Sequence, residues 1–197
     1  MTPHRLPTST QTGRRPVRYR LVLCLALCLP LLAMAAERVW FENVRVYRPG
    51  DYYLLDLDSH LRLRARPTEA LANGVSLYFD LTIEVKRQRN LWPDETVRTI
   101  TKRYRLFYFE LTRHFRVTET RSGHSSNFDS LDKALDYLGN LRAEPLVAAR
   151  DVDMPQRYRV EIQLAIDPSE LPAPLQIQAY TTRRYLMKSD VLVWPLD

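Results

Sequence analysis

Cysteine is almost missing from this chain of 197 residues, which holds only Cys24 and Cys28, both inside an apolar run near the N-terminus. From residue 37 onward there is none, so disulfides and thiol chemistry are excluded there and the core alone must stabilise the fold. Glycine is also scarce, with five residues in all, and none of them form a glycine-rich phosphate-binding loop. The common nucleotide-binding motifs are therefore excluded.

Residues 1–36 have the organisation of a secretory signal peptide. A basic region precedes an apolar run of 12 residues, Leu21 to Leu32, and the small-residue run Ala33-Met34-Ala35-Ala36 follows. The basic region holds five arginines, Arg5, Arg14, Arg15, Arg18 and Arg20. The sequence predicts export, cleavage after Ala35 or Ala36, and a periplasmic protein. The apolar run is shorter than the roughly 20 residues of a membrane span, so tethering by an uncleaved segment is the less favoured alternative.

The formal net charge of +6 is misleading, because residues 1–36 hold five of the 29 basic residues and none of the 23 acidic ones. Beyond that segment 24 basic side chains face 23 acidic ones. A nearly neutral chain argues against a nucleic-acid partner. The charge is nevertheless uneven, since residues 86–121 hold ten basic and four acidic side chains.

Alternation of apolar and polar residues with a period of two predicts three long strands, at 53–63, 75–86 and 158–166. Residues rich in β-branched and aromatic side chains predict further strands at 39–47, 96–110, 113–120, 174–181 and 189–194. The connection from Arg87 to Glu95 contains Trp92-Pro93-Asp94 and predicts a hairpin loop between antiparallel strands. Residues 104–109 are apolar on both faces, which predicts a central strand or one covered on its second face.

Two helices are predicted. The first is indicated by the segment Pro67–Gly74, with Pro67 at the start of the helix and Gly74 just past its end. The second covers about 130–141, where leucine and alanine recur at helical spacing and Asp129 or Ser130 can cap the N-terminus. The predicted fold is mainly β: one domain over residues 37–197, an antiparallel β-sandwich (immunoglobulin-like) of about eight strands with one short and one longer helix.

Five segments of the chain resemble an exported proteobacterial family, domain of unknown function 4390. They are Ala70–Phe79, Lys102–Tyr108, Leu111–Val117, Phe128–Leu135 and Leu171–Gln176. The similarity covers roughly Val39 to Trp194. The resemblance implies export and a single domain, transfers no catalytic residue, and implies a gene beside a membrane sensor kinase, hence an accessory role in signalling.

Chemical sites are weakly indicated. Asp56, Asp58 and His60 share one strand face and are the best metal-like group, although a strand spaces such residues too far apart for one ion without a bulge. A solvated strand face is the favoured interpretation. Ser122-Gly-His-Ser-Ser126 places a nucleophile near a base, but catalytic triads are assembled from separated segments. We therefore predict no catalytic residue, no cofactor and no metal, and a non-enzymatic protein.

The basic segment is the strongest functional candidate. If the predicted hairpin and strand 113–120 are neighbours, their cations form one electropositive face. The candidate surface comprises Lys86, Arg87, Lys102, Arg103, Arg105, Arg113 and Arg116. The predicted partner is a membrane or envelope protein, with a sensor kinase as one candidate, or an anionic lipid surface.

Two other functions stay open. One is binding of a lipid or small apolar ligand between the sheets, with Phe79, Trp92, Phe107, Phe109 and Trp194 as candidate lining residues. The other is a metal-dependent hydrolase at Asp56, Asp58 and His60.

Overall fold

A computed structural model describes residues 39–182 and 187–196, and within them the chain forms nine β-strands and three α-helices. The strands are β1 (Val39–Tyr47), β2 (Tyr52–Leu61), β3 (Leu77–Arg87), β4 (Glu95–Phe109), β5 (His114–Glu119), β6 (Ser125–Phe128), β7 (Leu141–Ala148), β8 (Tyr158–Ile166) and β9 (Leu192–Pro195). The helices are α1 (Ala65–Ala72), α2 (Leu131–Gly139) and α3 (Ala173–Thr182). The predicted signal peptide and its cleavage site lie outside the described residues. None of the helices just named is long and apolar enough to cross a bilayer.

The strands form two antiparallel sheets. The small sheet has the order β1-β2-β7 and the large sheet the order β6-β5-β4-β3-β8-β9, and neither closes on itself. Every pair of neighbouring strands is antiparallel. The prediction of a mainly β, antiparallel fold is confirmed.

Period-two alternation determines which face of each strand is buried. In β3 the odd-numbered residues from Leu77 to Val85 are buried and the even-numbered ones between them are partly exposed. β8 repeats the pattern from Tyr158 to Ile166, and β2 does so with Leu55 and Leu57. Side chains of both sheets and of α2 belong to one buried cluster. This apolar burial is the main favourable contribution to folding.

The predicted hairpin is confirmed, because β3 and β4 pair antiparallel from Leu77–Leu106 to Arg87–Glu95. β4 is 15 residues long and lies between β3 and β5, with Tyr104 and Leu106 buried. A central position accounts for the apolar character of residues 104–109.

The two predicted helices are present as α1 and α2. Ser130 caps α2, its Oγ accepting a hydrogen bond from the Lys133 backbone N–H at 3.4 Å. α2 lies on β2 and also contacts β5 and β6.

The predicted strand at 174–181 is wrong, because these residues belong to helix α3. Leu171, Leu175 and Ala179 are four residues apart and turn toward the core, whereas Ile177 is 67% exposed. Helical burial therefore prevails over the period-two pattern of the same segment. The last predicted strand, 189–194, begins later, at Leu192, and β6 and β7 were not predicted.

Candidate interaction surface

The seven candidate cations lie on the large sheet but not on one face. Lys86, Arg103, Arg105 and Arg116 lie on the outer face, opposite to the buried residues of their strands. Lys102 pairs with Leu81, a core residue, and so belongs to the inner face. Arg87 continues the odd-numbered positions of β3, which face inward, and Arg113 lies in the β4–β5 turn. Three of the seven cations are therefore separated from the four on the outer face.

Lys86 is neutralised by two carboxylates. Its Nζ lies 2.6 Å from Glu161 Oε2 on β8 and 2.9 Å from Glu84 Oε2 on its own strand. The hydrogen bonds to Glu161 and then Glu84 raise the pKa of Lys86 above its ordinary value. Arg159 also bonds Glu161, Nη2 to Oε1 2.7 Å, so this part of the outer face is a mixed-charge network.

Arg103 is held by three acidic residues. Its Nε and Nη2 donate to Asp80 Oδ1 and Oδ2 at 2.7 and 2.8 Å, a bidentate pair. Nη2 also donates to Asp167 at 2.7 Å, and Nη1 to Glu170 at 3.3 Å. The pKa of Arg103 is raised, chiefly by the hydrogen bonds to Asp80. This guanidinium positions its neighbours and offers little free charge to a partner.

Lys102 connects the two sheets at one flank. Its Nζ lies 2.7 Å from Glu144 Oε2 on β7 and 3.7 Å from Glu119 Oε1 on β5. Lys102 is only 21% exposed and Glu144 15%. The role of this lysine is structural in the folded chain.

Arg87 is occupied at the far end of the hairpin. Its Nη2 donates to Glu95 Oε2 at 2.5 Å, and Arg89 binds the same carboxylate. Hydrogen bonds from Arg89 and Arg87 lower the pKa of Glu95. Four of the seven candidate cations (Lys86, Arg87, Lys102 and Arg103) are thus ion-paired.

The remaining three cations lie where β4 ends and β5 begins. Arg105 is opposite Tyr78 and Thr118, both uncharged, and makes no ion pair with any acid in the described ranges. Arg113 is exposed in the turn, with the left-handed φ of 53°. The carboxylates that satisfy Arg103 do not reach these guanidinium groups.

Aromatic rings lie beside these cations on the outer face. The Arg116 guanidinium lies over the Phe109 ring, 4.6 Å from its centroid, and its Nε donates to Asn127 Oδ1 at 2.9 Å. Phe107 and Phe109 contact each other edge to face at 4.7 Å. We call Arg105, Phe107, Phe109, Arg113 and Arg116 the β4–β5 patch.

An apolar cavity of about 330 Å³ borders the β4–β5 patch. It is lined by Ala72, Asn73, Gly74, Phe107, Tyr108, Phe109, Glu110, Leu111 and Thr112. The Leu111 side chain is 101% exposed. Cations, aromatic rings and an exposed leucine therefore share one end of the large sheet.

The three metal-like residues bind separate partners. Asp56 accepts from the Ala143 backbone N–H at 2.8 Å, Asp58 accepts from Arg142 Nη2 at 2.5 Å, and His60 Nε2 lies 2.6 Å from Glu42 Oε2. Within residues 39–182 and 187–196, no group of three or more His, Cys, Asp or Glu side chains is arranged to hold a metal ion. These side chains form part of a solvated, hydrogen-bonded strand face.

The serine-rich segment joins β5 to β6. Ser122 Oγ donates to Glu119 Oε2 at 2.7 Å, and His124 Nε2 lies 3.5 Å from Ser126 Oγ. Each of these contacts is local and exposed. Their geometry is that of a turn between two strands.

The five aromatic residues considered for a lipid cavity lie in different places. Phe79 is fully buried in the core, Trp92 is exposed in the β3–β4 loop, and Trp194 lies on β9. Of the five, only Phe107 and Phe109 line a common cavity.

Sequence reasoning missed the acids that neutralise the candidate cations. Asp80 faces Arg103 because the hairpin register pairs Leu77 with Leu106, so fixing the register would have revealed this pair. Asp167 and Glu170 come from a distant segment, and Glu144 comes from the other sheet. No local signal identifies those contacts.

The protein is thus a mainly β protein with two antiparallel sheets and a cation-aromatic end on the larger one. The family model described as Domain of unknown function (DUF4390) matches residues 36–195, and the chain belongs to this family. This confirms the resemblance found in the sequence. Searches of curated proteins and of solved structures found no match.

Proposed function

We propose that the protein is a non-enzymatic interaction module of the periplasm, released from its signal peptide, that binds an acidic surface of a membrane or envelope protein through the β4–β5 patch. A sensor kinase is one candidate partner, and a signalling accessory one candidate role. The β4–β5 patch is the part of the predicted basic face whose cations make no ion pair in the described ranges.

The contrast between Arg103 and Arg105 carries the proposal. Both belong to β4 and lie on its outer face, two residues apart, yet Arg103 binds three carboxylates while Arg105 faces Tyr78 and Thr118. Unpaired guanidinium groups are suited to bidentate recognition of carboxylates on another molecule.

The aromatic rings support the same surface. Arginine and aromatic residues are enriched at protein interfaces, and they provide contact area at a low entropic cost. Stacking on Phe109 holds the Arg116 guanidinium in a defined position, so it is partly ordered before a partner binds. A bound carboxylate would therefore meet one cation, Arg116, that is already oriented.

For the fold we also propose the finer description, an immunoglobulin-like β-sandwich. Its support is the one buried cluster to which both sheets contribute.

Charge reversal tests the interaction. We expect R105E/R113E/R116E to reduce the partner captured by crosslinking in intact envelopes by about tenfold, because repulsion replaces attraction. The matched control is R98E/R121E/R150E, which reverses three exposed cations outside the β4–β5 patch. Far-UV circular dichroism checks that both variants are folded. Equal capture by the two variants would show that the β4–β5 patch is not the binding surface.

A small apolar ligand is a second candidate, favoured by the apolar cavity beside Phe107, Phe109 and Leu111. Its volume lies within the usual range of ligand pockets, about 300 to 1,000 Å³. Native mass spectrometry of protein purified from its own envelope should show a mass excess that L111S and F107S lose. A mass equal to that of the bare polypeptide contradicts this candidate.

A further inference from the structure

The loop between β3 and β4 exposes large apolar side chains. We call residues 88–94 the hairpin tip. Within it Leu91 is 92% exposed and Trp92 74% exposed. Burying these groups would be favourable, yet nothing in the described part of the chain covers them.

Arginines surround the hairpin tip. Arg87, Arg89 and Arg157 line a cavity of about 370 Å³ together with Leu91, Trp92 and Asp153. Arg157 is exposed, and Arg87 and Arg89 share the Glu95 carboxylate. Of these three arginines, Arg157 alone makes no ion pair with an acid in residues 39–182 and 187–196. Asp94 of the hairpin tip is paired with Arg159, Nη2 to Oδ2 2.9 Å.

The hairpin tip is held in place by its neighbours. The Gln88 backbone N–H donates to the Arg157 carbonyl at 2.7 Å, and the Arg89 N–H donates to Asp94 Oδ1 at 3.3 Å. These bonds join the loop to the turn before β8 and brace it internally. Leu91 and Trp92 are therefore displayed outward by an ordered loop.

This combination fits the surface of an anionic bilayer. Tryptophan prefers the boundary between headgroups and acyl chains, leucine favours the acyl region, and arginine pairs with lipid phosphates. A protein partner usually needs about 800 Å² from each side, whereas the exposed apolar part of the hairpin tip is two adjacent side chains, Leu91 and Trp92. The small, protruding shape favours insertion into lipid over docking on a protein.

We propose that the hairpin tip is a membrane-contact site, in which Leu91 and Trp92 enter the interfacial region of an anionic bilayer while Arg157, which makes no ion pair in the described ranges, binds a lipid phosphate. The hairpin tip and the β4–β5 patch lie at opposite ends of β4. With 15 residues and about 3.3 Å per residue, the two ends of the strand are roughly 45 Å apart, and Arg105, the patch residue nearest the tip, is about 33 Å from Glu95 along the strand. The two surfaces can thus be tested independently.

Local insertion is measured with an environment-sensitive fluorophore. The form released from the signal peptide has no cysteine, so L91C carries the label at the hairpin tip and L111C carries it at the similarly exposed Leu111. We expect a blue shift on phosphatidylglycerol vesicles for the label at position 91 and none at position 111. The absence of a shift at position 91 overturns the proposal, and so does an equal shift at both positions.

Vesicle co-sedimentation tests the contribution of each side chain. We expect L91S/W92S to lower binding to phosphatidylglycerol vesicles at least tenfold, L111S to keep it within twofold, and R157Q to lower it about fivefold. All variants are compared in the form released from the signal peptide, because an apolar N-terminal segment would bind vesicles by itself and mask the contribution of the hairpin tip. A lipid contact is contradicted if L91S/W92S binds vesicles as well as the unmodified protein does. It is also contradicted if L91S/W92S keeps vesicle binding but loses a protein that crosslinks to the unmodified chain. If R105E/R113E/R116E loses its crosslinked partner but still binds vesicles, the result supports the β4–β5 patch as a protein-binding surface and leaves the lipid contact of the hairpin tip in place.

Discussion

Arg103 and Asp80 form a bidentate ion pair across the β3–β4 hairpin, with nitrogen–oxygen distances of 2.7 and 2.8 Å. The pair lies on the outer face, directly opposite the side on which Phe79 and Tyr104 are buried. Polar recognition outside and apolar burial inside therefore specify the same strand register.

Removing the Arg103 guanidinium should destabilise the fold. We expect R103Q to lower the free energy of unfolding by about 1 to 2 kcal/mol, because it leaves the Asp80 and Asp167 carboxylates without their main partner in a half-buried site. R105Q, on the same strand face, is the matched control and should change the value by less than about 0.5 kcal/mol. Urea unfolding measures both, and equal effects would contradict the contrast drawn between these arginines.

The end of α2 should tolerate no side chain at Gly139. A Cβ there would lie 2.5 Å from Ser59 Oγ and Leu61 Cδ1 and 2.6 Å from the Ser59 carbonyl oxygen. Ser59 Oγ also donates to the Gly139 carbonyl at 2.7 Å. We expect G139A to cost about 1 to 3 kcal/mol through overpacking.

G50A is the control for the Gly139 substitution, since nothing lies within 4 Å of a Cβ at Gly50. Thermal unfolding should leave its midpoint near that of the unmodified protein. A midpoint for G139A equal to that of G50A would mean that α2 does not approach β2 as closely as described.

Glu161 should make stability depend on acid pH. Burial tends to raise the pKa of its carboxyl, but hydrogen bonds from Lys86 and Arg159 outweigh burial and lower the pKa. A lowered folded-state pKa means that the ionised form stabilises the fold. This stabilisation is complete above the unfolded pKa of about 4.3 and is lost as the pH falls through the folded-state pKa.

We therefore expect the free energy of unfolding to fall more between about pH 6 and about pH 3 for the unmodified protein than for E161Q. Urea titrations over this range measure both curves. Parallel curves would contradict the role of the Lys86–Glu161–Arg159 network.

Lys102 and Glu144 should be coupled across the two sheets. In a double-mutant cycle with K102M and E144Q, we expect a coupling energy of about 1 to 2 kcal/mol, because both side chains are largely buried. The exposed pair of Lys133 in α2 and Asp129 just before the helix is the comparison and should show about 0.3 to 0.5 kcal/mol. Equal coupling in both cycles would mean that Lys102 does not join the sheets.

The strands with clear alternation could be predicted from the sequence because one face of each is buried. β2, β3 and β8 begin and end within about two residues of their predicted limits. The β3–β4 hairpin and the Ser130 cap were also predictable, since loop chemistry and capping are local signals.

The error at α3 arose because its sequence satisfies two periods. Leu175, Ile177 and Ala179 alternate with polar residues as in a strand, while Leu171, Leu175 and Ala179 have the spacing of a helix. Tertiary contacts decide between them, and they bury the helical set. Pro172 and Pro174 at the start were the available helix signal.

β7 was missed because Pro145 interrupts it and its composition is poor in β-branched residues. Its pairing with β2 shifts register twice, and Ala143 has a φ of 50°. Similarly, β6 is four residues long and largely polar. Such strands form because a neighbouring strand offers hydrogen bonds, not because their own sequence demands it.

For the candidate site, the sequence located the cations but not their partners. The excess of basic residues in 86–121 can be counted in the sequence. The neutralisation of Lys102, Lys86 and Arg103 depends on contacts with acids of distant segments, namely Glu144, Glu161 and Asp167. Predicting which cations are free required the folded arrangement.

The open sheets leave four outer strands, and each one carries an obstacle to pairing with another chain. β1 shifts register between Phe41 and Asn43, β7 contains Pro145, β9 ends with Pro195, and β6 offers only four residues. Irregular, short or proline-containing edges discourage edge-to-edge aggregation. In a chain without cysteine from residue 37 onward, these edge strands are the built-in features that disfavour growth into fibrils.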